Sequence, residues 1–134
     1  MKKLLIIPML FACYMVMGQN AAKIIGKPYQ LKNIEVARND FPNTQNWNDA
    51  IAKCNKLGEG WRLPTSDELN KLYNNRKKIG GFKDNYFDGP NYWSSSESAD
   101  RGYGIEAKFQ IFSSGAQGFE SKANTYNVRA VRSK

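Results

Sequence analysis

Two short stretches carry the residue types from which a catalytic site could be built. Asp67 and Glu68 in "TSDEL" could act as a general acid and base, and "WSSSES" could supply a serine nucleophile. A serine nucleophile needs an activating base, yet the chain has no histidine and this stretch has no Ser-x-x-Lys pattern. A Ser-His-Asp triad, a Cys-His pair and a zinc site of the usual His/Cys type are therefore excluded.

The acidic pair has a structural explanation. Thr65 and Glu68 have the spacing of a capping box, in which each side chain accepts a hydrogen bond from the other residue's backbone N–H. Pro64 sets the preceding turn, and Leu69 begins an apolar helix face. Arg62 is expected to pair with Glu68 and lock the turn. These residues are thus predicted to form a corner of the scaffold.

The aromatic residues of the sequence motifs are expected to lie in the core. Trp61 and Trp93 could stack on a sugar ring, but both lie in motifs that define the fold, and Leu63 is expected to be buried beside Trp61. Trp47 and Cys54 fall on one face of a short amphipathic helix. Cys54 is therefore predicted to be a small buried hydrophobic residue.

The overall pattern predicts one α+β domain. Ile34 and Val36 alternate with a polar residue, as on a half-buried strand. Two helices follow: Asn46 caps the first, Gly58 ends it, and the second runs through "SDELNKLYNNRKKI" to Gly80. Short antiparallel strands are predicted in "NYWSSSE", "GYGIEAKFQIF" and "YNVRAVR".

The last predicted strand has an irregular pattern. Val128 and Val131 are apolar while Arg129 and Arg132 are polar, so the alternation slips at Ala130. A buried central strand tolerates such a slip.

The first residues have the pattern of a secretory signal peptide: two lysines, an apolar run and a small residue at Gly18. The run is shorter than the roughly 20 residues of a membrane helix. We predict a signal peptide over 1–18, a spacer over 19–30 and a domain over 31–134, exported to the periplasm, cell surface or medium. A lipobox-like "LFAC" leaves lipidation at Cys13 open, and only this would attach the chain to a membrane.

The mature domain is basic. Removal of residues 1–18 takes away two lysines and no acidic residue, which leaves 18 basic against 12 acidic residues and a net charge of +6. Such a surface attracts acidic polysaccharide, lipid headgroups or nucleic acid. Export argues against nucleic acid and favours sulfated or uronic glycans, while simple solubility remains an alternative.

Four motifs in order resemble a known family. "NWNDAIAKC", "LGEGWRLPTSDELNKLY", "YWSSSE" and "NVRAVR" together resemble an uncharacterised bacterial family of C-type-lectin-like domains, of the type found at the C-terminus of a collagen-like adhesin. The resemblance implies a C-type-lectin-like fold, with two helices packed on small antiparallel sheets and long loops in the second half. Relatives of that fold bind glycans or proteins, and one branch generates formylglycine.

The resemblance also bears on metal, enzyme chemistry and disulfides. "Trp-Asn-Asp" is a calcium signature of lectins, but here it opens a helix at Trp47, so we expect no metal or cofactor. Formylglycine generation needs paired cysteines, and only Cys54 remains after residue 18. Lectin-like domains commonly link this helix to the last strand by a disulfide. The expected partner position is occupied by Ala130, so packing must replace the bridge.

Ligand contacts are expected in loops of the second half, because loops on a rigid scaffold carry function. The candidate residues are Asn85, Tyr86 and Asp88 in "KDNYFDG" and Asp100, Arg101 and Tyr103 in "SADRGYG". The leading hypothesis is a non-catalytic domain that binds an extracellular glycan or surface protein through the loops between Gly81 and Tyr126. A structural or assembly component of the cell envelope is the alternative, and a formylglycine-generating type of enzyme is a distant one.

Overall fold

One small sheet joins the two ends of the described chain. The computed structural model describes residues 20–84, 89–98 and 103–134. Strands β1 (Tyr29–Leu31), β2 (Ile34–Val36) and β6 (Val131–Ser133) form an antiparallel sheet in the order β1-β2-β6. Both apolar ends of β2 are buried, as the alternating sequence pattern predicts, and Val36 pairs with Val131 across the sheet.

The second sheet carries the β-rich half of the domain. It contains β3 (Asn91–Glu97), β4 (Glu106–Ile111) and β5 (Gln117–Ser121), all antiparallel and in that order. The register between β3 and β4 shifts between Trp93 and Glu97, which indicates a bulge or similar irregularity. The predictions of an α+β fold and of strands in "NYWSSSE" and "GYGIEAKFQIF" are confirmed.

Helix α1 (Trp47–Lys56) begins and ends as its sequence predicts. The side chain of Asn46 accepts a hydrogen bond of 2.9 Å from the backbone N–H of Asp49. Gly58 follows the helix with a φ of 77°, in the left-handed region where glycine is least strained. The buried face includes Trp47 and Cys54, so the predicted amphipathic helix is confirmed.

Helix α2 (Ser66–Asn74) begins with the predicted capping box. The Thr65 side chain accepts from the Glu68 N–H, and the Glu68 carboxylate accepts from the Thr65 N–H. The Arg62 guanidinium also donates to both Glu68 oxygens, at 2.6 and 2.9 Å. The Glu68 carboxylate thus connects the Arg62 side chain to the start of α2 at Thr65.

The prediction of one helix continuing to Ile79 is wrong. The chain leaves helical geometry at Asn75, with φ −110° and ψ 13°, and a separate turn, α3 (Arg76–Ile79), follows. The Asn75 side chain donates to the Lys71 carbonyl at 2.9 Å. The same carbonyl also accepts from the Asn75 backbone N–H at 3.1 Å, so the helical bonds continue as far as Asn75. Asparagine has a low preference for helix interiors because its side chain bonds to nearby backbone groups, which is consistent with the helix ending there.

The core consists of two clusters. The first contains Trp61, Leu63 and Trp93, each 3% exposed or less, as predicted. The second contains Leu69, which packs with the buried side of the β1-β2-β6 sheet. The indole N–H of Trp93 donates to the Gln45 carbonyl at 2.9 Å, so burial leaves that polar atom satisfied.

The N-terminal part of the described chain also contacts the core. Residues 20–25 are helical, and Ile24 and Ile25 pack against the first cluster. These residues fall in the stretch predicted as a spacer. Across the described ranges, no helix has the length and apolar character needed to cross a bilayer.

Substitution of Glu68 should make the free energy of unfolding vary less between pH 7 and pH 3. Because hydrogen bonds from Arg62 lower the pKa of Glu68, its stabilisation is present above the ordinary glutamate pKa of about 4.3 and is lost as the pH falls below it. We expect Glu68→Gln to lower the free energy of unfolding by about 1–2 kcal/mol at pH 7, and by less at pH 3.

Urea denaturation at both pH values measures this difference. Asp67→Asn is the matched control, because Asp67 is exposed in the same helical turn and should contribute only a few tenths of a kcal/mol (about 0.3–0.5) through the helix dipole. A deficit of Glu68→Gln that stays constant from pH 7 to pH 3 would contradict the assigned role of the charge.

Candidate functional site

Most of the predicted ligand residues lie outside the described ranges. These are Asn85, Tyr86, Asp88, Asp100 and Arg101. The remaining candidate, Tyr103, is described, and 99% of its surface is exposed. The assignment of all six residues to ligand binding therefore stays a prediction.

Tyr103 stands in a turn that leads directly into β4. Its backbone has φ 75°, a left-handed conformation that is uncommon for a residue with a bulky side chain. Ile105, two residues later, is 60% exposed, although its carbonyl accepts from the Lys122 N–H at 2.9 Å. The Tyr103–Ile105 turn therefore presents an aromatic and an aliphatic side chain to solvent next to a hydrogen-bonded strand.

The loop that begins at Gly80 is fixed by a buried ion pair that the sequence did not reveal. The Arg129 Nε donates to Asp40 Oδ1 at 2.6 Å, and both side chains are almost completely buried. Arg129 Nη1 also donates to the carbonyls of Ala37 and Gly80, both at 3.2 Å. One guanidinium thus links the segment after β2, the end of α3 and the C-terminal segment.

Tyr92 extends this network to the second sheet. Its hydroxyl donates to Asp40 Oδ2 at 2.5 Å and accepts from the Lys83 N–H at 2.9 Å. Burial raises the pKa of Asp40, opposed by the charge of Arg129, and burial also raises the pKa of the Tyr92 hydroxyl. The tyrosine consequently stays protonated and can donate to the carboxylate.

The motif "VRAVR" is more buried than its alternation suggests. Strand β6 begins only at Val131, so the prediction of a strand over all of "YNVRAVR" holds only for its end. Val128, Arg129 and Ala130 are all at most 1% exposed, and the carbonyls of Val128 and Ala130 accept from Phe41 and Ala37. The alternation of apolar and polar residues fails here because Arg129, although polar, is buried in the core.

Cys54 has the environment of a structural residue. It is fully buried in the same cluster as Ala130, and burial raises the pKa of its thiol to about 12. In the part of the chain that the structure describes, Cys54 forms no disulfide. The thiol is therefore a poor nucleophile at neutral pH.

The calcium signature lies where the sequence analysis expected it. Trp47, Asn48 and Asp49 form the first turn of α1, and the Trp47 indole N–H donates to the Ser94 carbonyl at 2.8 Å inside the core. Over residues 20–84, 89–98 and 103–134, no three histidine, cysteine or acidic side chains gather where they could hold a metal ion.

Solved structures of the same architecture define the class of protein. Botrocetin has a TM-score of 0.56 and 12% identity, over 81% of this chain and 98% of that chain. The snake venom toxin convulxin has a TM-score of 0.57 and 10% identity, over 81% and 96%. EMS16, an antagonist of the collagen receptor integrin α2β1, has a TM-score of 0.55 and 11% identity, over 80% and 97%. At these identities the likeness shows the fold alone, which is C-type-lectin-like.

The sequence assigns the chain to a family within that class. The family model of the Lcl C-terminal domain matches residues 20–132, and the chain therefore belongs to the Lcl C-terminal domain family. No curated protein sequence matches it. The family and fold implied by "GWRLPTSDEL", "YWSSSE" and "NVRAVR" are thus confirmed.

Loss of the Arg129 charge should be costly. Arg129→Met leaves Asp40 buried without its cationic partner, and we expect the free energy of unfolding to fall by about 3–5 kcal/mol. Arg129→Met combined with Asp40→Asn should recover part of this loss, because an amide needs no counter-charge and can still accept from Tyr92.

Urea denaturation of both variants provides the measurement. Arg132→Met is the matched control, since Arg132 pairs with Glu35 on the same C-terminal segment but in contact with solvent. If Arg129→Met is no more destabilised than Arg132→Met, the buried pair does not have the role assigned to it.

Proposed function

We propose that this protein is an exported, non-catalytic binding domain that recognises a surface protein or a glycan through the loops of its second half. The observation that carries the proposal is the Tyr103–Ile105 turn, with its two exposed apolar side chains on a C-type-lectin-like scaffold. Aromatic residues are enriched at binding hot spots because they offer a large, rigid contact area. The predicted candidates Asp100 and Arg101 lie next to this turn in the sequence.

The nature of the partner follows from two considerations. Botrocetin has been solved in complex with the von Willebrand factor A1 domain, and rhodocetin with the integrin α2-A domain, so this fold can present a protein-binding surface. Both share little sequence with this chain, so a glycan partner is equally compatible with its loops. The basic charge of the domain favours an acidic partner in either case.

The absence of catalysis is proposed because the reactive groups have structural roles. Glu68 is engaged by Arg62 and the capping box. The Ser94 hydroxyl donates to the Lys108 carbonyl at 2.7 Å, and the Ser96 hydroxyl accepts from the Ser66 N–H at 3.0 Å. Glu68, Ser94 and Ser96 are therefore engaged in holding the fold, and Asp67 lies exposed in the first turn of α2.

The binding surface is tested by exchanging the exposed tyrosine. Tyr103→Asn removes the ring, while asparagine tolerates the left-handed backbone better than most residues. Lys32→Asn is the matched control, because Lys32 also has a left-handed backbone, with φ 52°, and lies in the turn between β1 and β2 of the other sheet. We expect Tyr103→Asn to weaken retention by about tenfold on a glycan array or an array of extracellular matrix and cell-surface proteins.

Three outcomes of the array experiment decide the proposal. Retention lost in Tyr103→Asn but kept in Lys32→Asn supports it, and a steep decline with salt identifies an acidic partner. Equal loss in both variants contradicts recognition by the Tyr103–Ile105 turn. Absence of any retention of the wild-type protein favours the envelope component over a binding domain.

Export is tested by the N-terminus of the mature protein. We expect mass spectrometry of protein recovered from the source organism to find Gln19 at the N-terminus, after removal of residues 1–18. A diacylglyceryl group on an N-terminal Cys13 would instead show a lipid anchor. An unprocessed Met1 would contradict export by this signal.

A further inference from the structure

A cleft with basic walls opens beside α3. It has a volume of about 310 Å³, at the lower end of the range for small-molecule sites. Among the residues that the structure describes, its lining includes the cations Arg76, Lys77 and Lys83 and one acidic side chain, Asp84. Formally, the three cations outnumber the carboxylate by two charges. The cleft therefore suits a compact anion with about two negative charges.

The apolar part of the lining consists of two aromatic rings. Phe82 and Phe112 both line the cleft, and their ring centroids are 4.9 Å apart. Phe112 also contacts Tyr73, whose ring is covered by the Arg76 guanidinium at 4.1 Å. Arg76 Nη1 donates to the Tyr73 carbonyl at 3.0 Å. Arg76 is thus held in position by the fold, while Lys77 is exposed and adjustable.

A fourth cation, Arg129, lies buried behind the cleft wall. Arg129 Nη2 has no hydrogen-bond partner among the described residues, although the Arg129 side chain is fully buried. The Phe82 ring covers its guanidinium at 4.0 Å, and a Cβ on Gly81 would lie 3.2 Å from Nη2. Since Gly81 and Phe82 both line the cleft, only this thin wall separates the unpartnered N–H group from it.

Charge and geometry distinguish the anions that could occupy such a site. A phosphate monoester carries about −1.5 to −2 charges at pH 7 and three acceptor oxygens. A carboxylate or a sulfate ester carries only one negative charge, which leaves one of the two excess positive charges of the cleft unbalanced. Guanidinium and ammonium groups together form the usual protein environment for phosphate.

We propose that this cleft binds a phosphate monoester carried on a small organic group. Arg76 and Lys77 contact the phosphate oxygens from one side and Lys83 from the other. The rings of Phe82 and Phe112 contact the carbon skeleton of the ligand and exclude water from the ion pairs. The same chemistry is found in free sugar phosphates and in the headgroup of phosphatidic acid.

This site does not depend on the proposed recognition by the Tyr103–Ile105 turn. Among the described residues, its lining does not include Tyr103 or Ile105, and it uses residues of α3 and the segment that follows. Tyr103→Asn should therefore leave phosphate binding unchanged. This separates failure of the phosphate site from failure of the proposed function.

Isothermal titration of the mature protein with glucose 1-phosphate at low salt tests the site. We expect saturable one-to-one binding, and binding of glucose 6-sulfate that is at least about fivefold weaker because of its single charge. Lys77→Gln should weaken glucose 1-phosphate binding by about fivefold. Lys78→Gln is the matched control, because Lys78 is an exposed neighbour on the same turn that does not line the cleft.

The remaining outcomes are equally decisive. No binding of glucose 1-phosphate, or equal affinity for glucose 6-sulfate, overturns the proposal. Equal weakening by Lys77→Gln and Lys78→Gln also overturns it, because the effect would then come from general surface charge. Flotation with phosphatidic acid vesicles, but not phosphatidylcholine vesicles, distinguishes a lipid headgroup from a free sugar phosphate as the source, and each variant's melting temperature verifies folding.

Discussion

The structure depends on a buried ion pair between Arg129 and Asp40. Arg129 and Asp40 lie 89 positions apart in the sequence, and their ion pair holds the C-terminal segment against the chain that follows β2. Removing two charges from water costs several kcal/mol per ion, and only good geometry with further hydrogen bonds offsets that cost. The carbonyls of Ala37 and Gly80 and the hydroxyl of Tyr92 supply those bonds. The pair therefore favours one arrangement of these segments over competing ones.

This pair also bears on the missing disulfide. In the resembling lectin-like domains a bridge ties the first helix to the last strand, whereas here Cys54 and Ala130 only pack in the same cluster. A disulfide stabilises mainly by restricting the unfolded chain, while a buried ion pair acts only in the folded state. Arg129, beside Ala130, ties the C-terminal segment to Asp40 rather than to α1, and this link is lost if either partner is removed.

Features formed by residues close together in the sequence can be predicted from it, whereas contacts between distant residues cannot. The corner around Thr65 and Glu68 involves residues three positions apart, so spacing alone determines its hydrogen bonds. Burial of Trp61 and Trp93 follows from their apolar surface. The partner of Arg129 could not be found this way, because no local rule relates it to Asp40, which sits in an apparent turn. The end of α2 at Asn75 does not follow from the sequence, because the apolar pattern continues to Ile79 and the low helix preference of asparagine is a weak signal.

The buried pair also fixes the base of the segment that follows α3. Gly80 and Lys83 are bonded to Arg129 and Tyr92, so the segment leaving α3 starts from a fixed point. A loop anchored at its base loses less conformational entropy when it binds a ligand than one that is free throughout. The same anchoring keeps Phe82 over the guanidinium and thereby preserves the wall of the basic cleft. One buried arginine thus holds the C-terminal segment of the scaffold and also supports the wall of the basic cleft.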